Sequence, residues 1–164
     1  MKRFLLILSL FLLIALPALA DNRVFDDADL LAPVEESALN DRIAEIFSAH
    51  HFDVVLHTTP STRGQSVRLY AADYYDDGGF GYGADADGLI FVISMAERDY
   101  YTVTTGSGIR MFTDYGIDQI GEHIAPYLSK GDYFGAMTRY LEDVEKYIAQ
   151  ATGGESGLSG DRPF

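Results

Sequence analysis

The chain has 164 residues, with 12 Lys+Arg against 25 Asp+Glu and a formal charge of −13. That length is one domain, and the negative balance excludes a nucleic-acid binder, which needs Lys and Arg for its phosphate contacts. Eleven Tyr and ten Phe but no Cys exclude disulfides, zinc knuckles, iron–sulfur clusters and every phosphatase built on a thiolate nucleophile.

Lys2 and Arg3 precede an apolar run from Phe4 to Leu16, and Ala18-Leu19-Ala20 closes it. A positive start, a short hydrophobic core and an Ala-x-Ala end describe a secretory signal peptide over residues 1–20. The run falls short of the about 20 residues that span a bilayer. Cleavage after Ala20 leaves 10 Lys+Arg against 25 Asp+Glu, hence −15. The expected product is extracytoplasmic, periplasmic or secreted, with no stable membrane anchor.

Asp21 to Leu31 is a short mixed segment in which Val24 and Phe25 suit an edge strand. Pro33 opens a helix where a missing N–H is harmless, and Leu39, Ile43, Ile46 and Phe47 continue it to about His50. Phe52 to Thr59 is rich in β-formers and stops at Pro60, so it predicts a strand. After a loop at Gly64, Val67, Tyr70, Ala71 and Tyr74 give a second helical stripe. Asp76 to Gly88 then holds five Gly and four Asp without periodicity. Leu89 to Ile93 is a continuous apolar run, as in a strand covered on both faces. Ala96 to Asp99 is a turn, and Tyr100 to Thr105 forms a hairpin with the preceding strand. Gly106-Ser107-Gly108 ends that hairpin. Ile117, Ile120, Gly121, Ile124 and Leu128 make a third helix, Gly131 breaks it, and Phe134, Met137, Leu141, Val144 and Ile148 make the last. The domain thus covers 21–150, and the Gly- and Ser-rich residues 151–164 predict a disordered tail.

This order predicts an α/β domain, a three-layer α/β/α sandwich with a small mixed sheet: a parallel pair, at Phe52 and Leu89, plus an antiparallel hairpin. In that arrangement the Asp76–Gly88 loop and the Gly106–Gly108 segment meet at one rim. Asp85, Asp87 and Asp114 are expected to converge there, while Asp26 and Asp27 lie near the start of the domain. Two readings fit these residues. They are hard oxygen ligands for a divalent cation such as calcium, or turn formers on a solvated surface. Asp85-x-Asp87-Gly88 resembles a fragment of a calcium loop but lacks the closing Glu of an EF-hand. Ser107 and Arg110 are candidate phosphate contacts, since glycines around a Ser can turn backbone N–H groups to an anion; a plain strand-to-helix turn fits the same residues. His50, His51, His57 and His123 show no zinc-hydrolase spacing, and no serine-hydrolase elbow or P-loop is present.

Taken together, these segments resemble the TPM domain family, which includes a thylakoid-lumen acid phosphatase and bacterial exported proteins. The resemblance runs through Val24-Phe25-Asp26-Asp27-Ala28-Asp29-Leu30-Leu31-Ala32-Pro33-Val34-Glu35-Glu36, Tyr70-Ala71-Ala72-Asp73, Gly79-Phe80-Gly81 and Asp87-Gly88-Leu89-Ile90-Phe91-Val92. It continues through Glu97-Arg98-Asp99, Thr105-Gly106-Ser107-Gly108-Ile109, Asp114 and Gly131-Asp132-Tyr133. The resemblance implies the same sandwich and a calcium or other divalent-metal site near the Gly/Asp loop. Asp87, Asp114 and the Asp26-Asp27 pair match the family's acidic positions, with Asp85 a neighbour. Ala32 stands where the family usually has a capping Ser or Thr, and Arg110 where it usually has an acid. Two functions follow as expectations. One is a metal-binding accessory or quality-control module for envelope or membrane proteins. The other is a metal-dependent acid phosphatase acting on phosphomonoesters.

Overall fold

The structure is a computed structural model that describes residues 22–156. The expected signal peptide, residues 1–20, lies outside the described residues. Four strands form a single sheet in the order β1 (Val24–Asp26), β2 (Asp53–Thr59), β3 (Gly88–Ser94) and β4 (Asp99–Thr105). β1, β2 and β3 run parallel, and β4 is antiparallel to β3. Val24 sits opposite Leu56, Leu56 opposite Phe91, and Val92 opposite Tyr101. The short Val24–Phe25 segment is indeed an edge strand, and it extends the expected parallel pair to three strands.

Every residue of β2 and β3 is buried, because helices cover both faces of the sheet. Alternation along the strands divides the core. Val54, Leu56, Leu89, Phe91 and Ile93 face α1 (Pro33–His50), α4 (Asp114–Leu128) and α5 (Tyr133–Ser156). Val55, Ile90 and Val92 face α2 (Val67–Asp77) and pack on Val67, Ala71 and Tyr75. The α1 stripe of Leu39, Ile43 and Ile46 is buried at helical spacing.

Local chemistry sets the helix ends. The Ser66 hydroxyl accepts from the Leu69 N–H at the start of α2, and the Thr113 hydroxyl accepts from the Gly116 N–H at the start of α4. Ala32 has no side chain to cap α1; instead the Glu35 carboxylate accepts the Ala32 N–H at 2.8 Å. At the other end His51 takes the left-handed conformation, and its N–H reaches Phe47 O.

Two features differ from expectation. A one-turn helix, α3 (Gly108–Met111), follows β4. α5 also continues through 151–156, residues assigned from composition to a disordered tail. Helical propagation adds a hydrogen bond per residue, and α5 is already anchored by buried Met137, Leu141, Val144 and Ile148. Residues 157–164 lie outside the described residues.

Candidate functional site

The Gly/Asp loop and the Gly106–Gly108 segment meet, as expected, at the amino ends of β2 and β3. The sequence reading missed the residue that fixes them. Asp53 opens β2 and is only 2% exposed. One carboxylate oxygen pairs with Arg23 Nε at 2.7 Å, and the other accepts the Gly81 N–H at 2.8 Å. The Arg23 guanidinium in turn lies over the Phe80 ring, 5.3 Å from its centroid. A carboxylate directly ahead of the apolar run Val54-Val55-Leu56 was the available signal, since a buried charge demands partners.

Asp87 closes the second contact. Its Oδ1 accepts the Ser107 N–H at 2.6 Å. The Thr105 hydroxyl donates to Ala86 O, and Tyr82 and Asp87 exchange backbone hydrogen bonds at 3.0 and 2.9 Å. Gly106 is required where it stands. It has φ +56, and an added Cβ would run into the Asp87 carboxylate and come within 2.7 Å of Asp85 O. The polar groups of this rim are therefore largely committed to holding the loop in one shape.

That commitment bears on Ser107 and Arg110. The Ser107 N–H, expected to face an anion, already faces the Asp87 carboxylate. The N–H groups of Ile109, Arg110 and Met111 donate to Gly106 O and Ser107 O. The segment is a closed turn in which a fixed negative charge takes the place of a bound phosphate. Arg110 lies exposed on α3.

Asp26 and Asp27 lie at the opposite end of the sheet, because β1 runs parallel to β2 and Asp26 is opposite Thr58. Seven residues of β2 at about 3.3 Å each put roughly 20 Å between the two rims. One Asp26 oxygen accepts the Leu31 N–H at 2.8 Å and the other the Thr58 hydroxyl, which itself accepts the Ala28 N–H. Asp27 lines a cavity of about 690 Å³ with Thr59, Thr62, Arg63 and Tyr70. Beside it, Glu97 in the β3–β4 turn accepts from the Ser94 hydroxyl, the Thr62 N–H and the Ser61 hydroxyl. These donors, Ser94 first, pull its carboxyl down to about 2.

Behind this cavity His57 is fully buried. Its Nδ1 lies 3.1 Å from Phe25 O and its Nε2 3.1 Å from the Tyr70 hydroxyl. A carbonyl only accepts, so Nδ1 carries the proton and Nε2 accepts from Tyr70. Its ring stacks on Tyr74 with centroids 4.1 Å apart. Burial lowers its pKa, against smaller opposing effects of the Phe25 carbonyl, Asp27 and Asp26.

Asp114 occupies a third place. It begins α4 and lines the groove between that helix and β4. The five carboxylates expected to bind metal are thus divided among two sheet rims and a groove. Among the described residues, no three His, Asp or Glu side chains come together as a metal-holding group. Calcium takes six to eight oxygens. Of the predicted set only Asp85 and Asp87 share one loop, so a cation there would draw most of its oxygens from backbone carbonyls and water.

Comparison with known proteins follows this architecture closely. The family model described as the TPM domain matches residues 24–147. The UPF0603 protein YdjH of Bacillus subtilis (strain 168) is 27% identical over 121 residues, which are 74% of this chain and 46% of that protein. The chain therefore spans about half the length of that curated relative. The solution structure of the N-terminal domain of a P. gingivalis protein superposes with a TM-score of 0.70 at 22% identity, covering 82% of this chain and 86% of that one. The N-terminal domain of the cg2496 protein of Corynebacterium glutamicum gives 0.63 at 18% identity, covering 82% and 84%. The BA42 protein of Bizionia argentinensis gives 0.63 at 16%, covering 73% and 82%. At these identities the structures are relatives in fold.

Proposed function

Because the chain belongs to the TPM domain family, we propose that it is an exported binding module, an accessory or quality-control factor for envelope or membrane proteins. In this reading a divalent cation, calcium, sits at the Gly/Asp loop beside Asp85 and Asp87. The observation that carries the reading is the closed rim. Asp53 and Asp87 each commit one carboxylate oxygen to a loop N–H, which suits a rigid presented surface better than a site that must reorganise around a reacting phosphate. The 1–20 segment, with the composition of a signal peptide, supports export. Among the described residues, no helix is long and apolar enough to cross a membrane.

The competing reading, a metal-dependent acid phosphatase, draws on exposed Arg110 beside Ser107 and on a cation as activator of water. One purified sample, residues 21–164, separates the two. With calcium at about 100 times its dissociation constant, binding to the folded state adds about 2.7 kcal/mol of stability, read as a raised melting midpoint that chelator reverses. An unchanged midpoint at millimolar calcium overturns the metal. The same calcium-loaded sample is expected to leave a generic phosphomonoester intact at acid and neutral pH. Turnover that disappears in folded Asp87→Ala and Asp114→Ala variants would instead establish the phosphatase.

A further inference from the structure

β4 is the long free edge of the sheet. It pairs with β3 through seven consecutive residues, and among the described residues no strand lies on its other side. Proteins commonly guard such an edge with Pro, an inward charge, Lys or a bulge. Asp99–Thr105 reads Asp-Tyr-Tyr-Thr-Val-Thr-Thr, which holds no Pro and no Lys, and the pairing is unbroken. Between this edge and α4 runs a groove of about 850 Å³ with Phe91 and Tyr140 in its lining.

The groove is electrostatically one-sided. Asp114, Asp118 and Glu122 line it from α4 and Asp99 from β4, and no Lys, Arg or His contributes to the lining. The three α4 acids recur at i, i+4 and i+8, a spacing that stacks like charges on one helix face and weakens the helix. Among the described residues none of the three acids forms an ion pair, whereas His123 on the same helix turns to Asp143 of α5. Gly121 faces the Tyr100 side chain of β4, and an added Cβ would lie 3.0 Å from the Tyr100 hydroxyl. Asp118 is near enough to act on that hydroxyl electrostatically.

We propose that the β4–α4 groove docks an extended, Lys- or Arg-rich segment of a partner protein, which adds to the sheet as a fifth strand along β4. Backbone pairing supplies the affinity of such additions and side-chain pockets the specificity; the α4 acids would select cationic segments and repel acidic ones. The occupant follows from charge complementarity, and the open strand edge dictates its extended form. The inference rests on the reading of this chain as a binding module and names the surface that does the binding.

The test uses residues 21–164 and two fluorescent peptides, one alternating Lys and Val, the other with Asp for each Lys. The Lys peptide is expected to bind at low salt, to lose affinity as salt rises, and to slow amide hydrogen exchange along β4. A folded Asp118→Asn/Glu122→Gln variant is expected to bind it about tenfold more weakly. Equal binding of the Asp peptide, unchanged affinity in the variant, or slowed exchange confined to another face each overturns the proposal. So does a β4 edge already covered by a second copy or by residues 157–164 of the same chain, read from the mass in solution and from truncation at residue 156. If immobilised wild-type and variant chains retain the same envelope proteins while neither binds the Lys peptide, this surface is wrong and the binding-module reading survives. If nothing is retained, both fall.

Discussion

A buried carboxylate tolerates its burial only through its partners, and Asp53 has two that matter. Removing it in Asp53→Ala takes a carboxylate partner from both the Arg23 guanidinium and the Gly81 N–H. Loss of one member of a buried pair costs about 3 kcal/mol, so the urea midpoint is expected to fall by that equivalent, with backbone shifts concentrated in 78–88. Glu97 and His57 set the acid response. The Glu97 carboxyl lies at about 2 against an ordinary 4.5, so its contribution is complete above pH 4.5 and is lost as pH falls toward 2. His57 is lowered from 6.5; burial keeps it neutral in the fold, so its contribution is present above pH 6.5 and declines below it. Stability measured from pH 7 down to pH 2 is expected to fall throughout, and Glu97→Gln is expected to flatten the limb between 4.5 and 2. Asp26 and Asp27 were legible as notable residues, but their position was not. It depends on the direction of β1, which is set by pairing with β2 about thirty residues away rather than by any local pattern.

Among the elements, α1 carries a correctable defect. Ala32 already has the extended backbone of a capping residue, with φ −76 and ψ 153, and lacks only the oxygen. Ala32→Ser is expected to raise stability by about 1 kcal/mol, measured as a higher melting midpoint. The Ala32 site was legible because a cap is a local feature, as were β2, β3 and the stripes of α1, α4 and α5, whose apolar spacing is strong. α3 escaped because one turn carries no periodicity. The extension of α5 escaped because its Gly-rich sequence argues against helix, while the eighteen preceding residues of helix, 133–150, argue for it. At Gly106–Gly108 a plain strand-to-helix turn was one of the two readings the residues allowed, but what closes it was not legible. The Asp87 carboxylate that fills it comes from a loop twenty residues earlier.

For the molecule as a whole, acidity is the dominant long-range force. A chain at −13 repels itself, and raising ionic strength from 0.01 to 0.1 M shortens the screening length from about 30 Å to about 10 Å. Stability in urea is therefore expected to rise over that range, and a midpoint that falls with salt would contradict this. The same acidity was legible from composition; its concentration along one groove required the register of α4 against β4. The sheet itself has a further consequence. Its strands stand in the order in which they occur in the chain, so each new strand pairs with the one before it. The parallel pairs are closed through crossovers of 26 and 28 residues (27–52 and 60–87), but each pairing needs only chain that precedes it, and loop-closure entropy grows slowly with length. A chain emerging amino end first, from a ribosome or through a translocation pore, can lay down β1 to β4 without waiting for a distant segment. Only α5, which returns to pack on α1, must come last. The final helix thereby becomes the latch that distinguishes a partly emerged domain from a finished one.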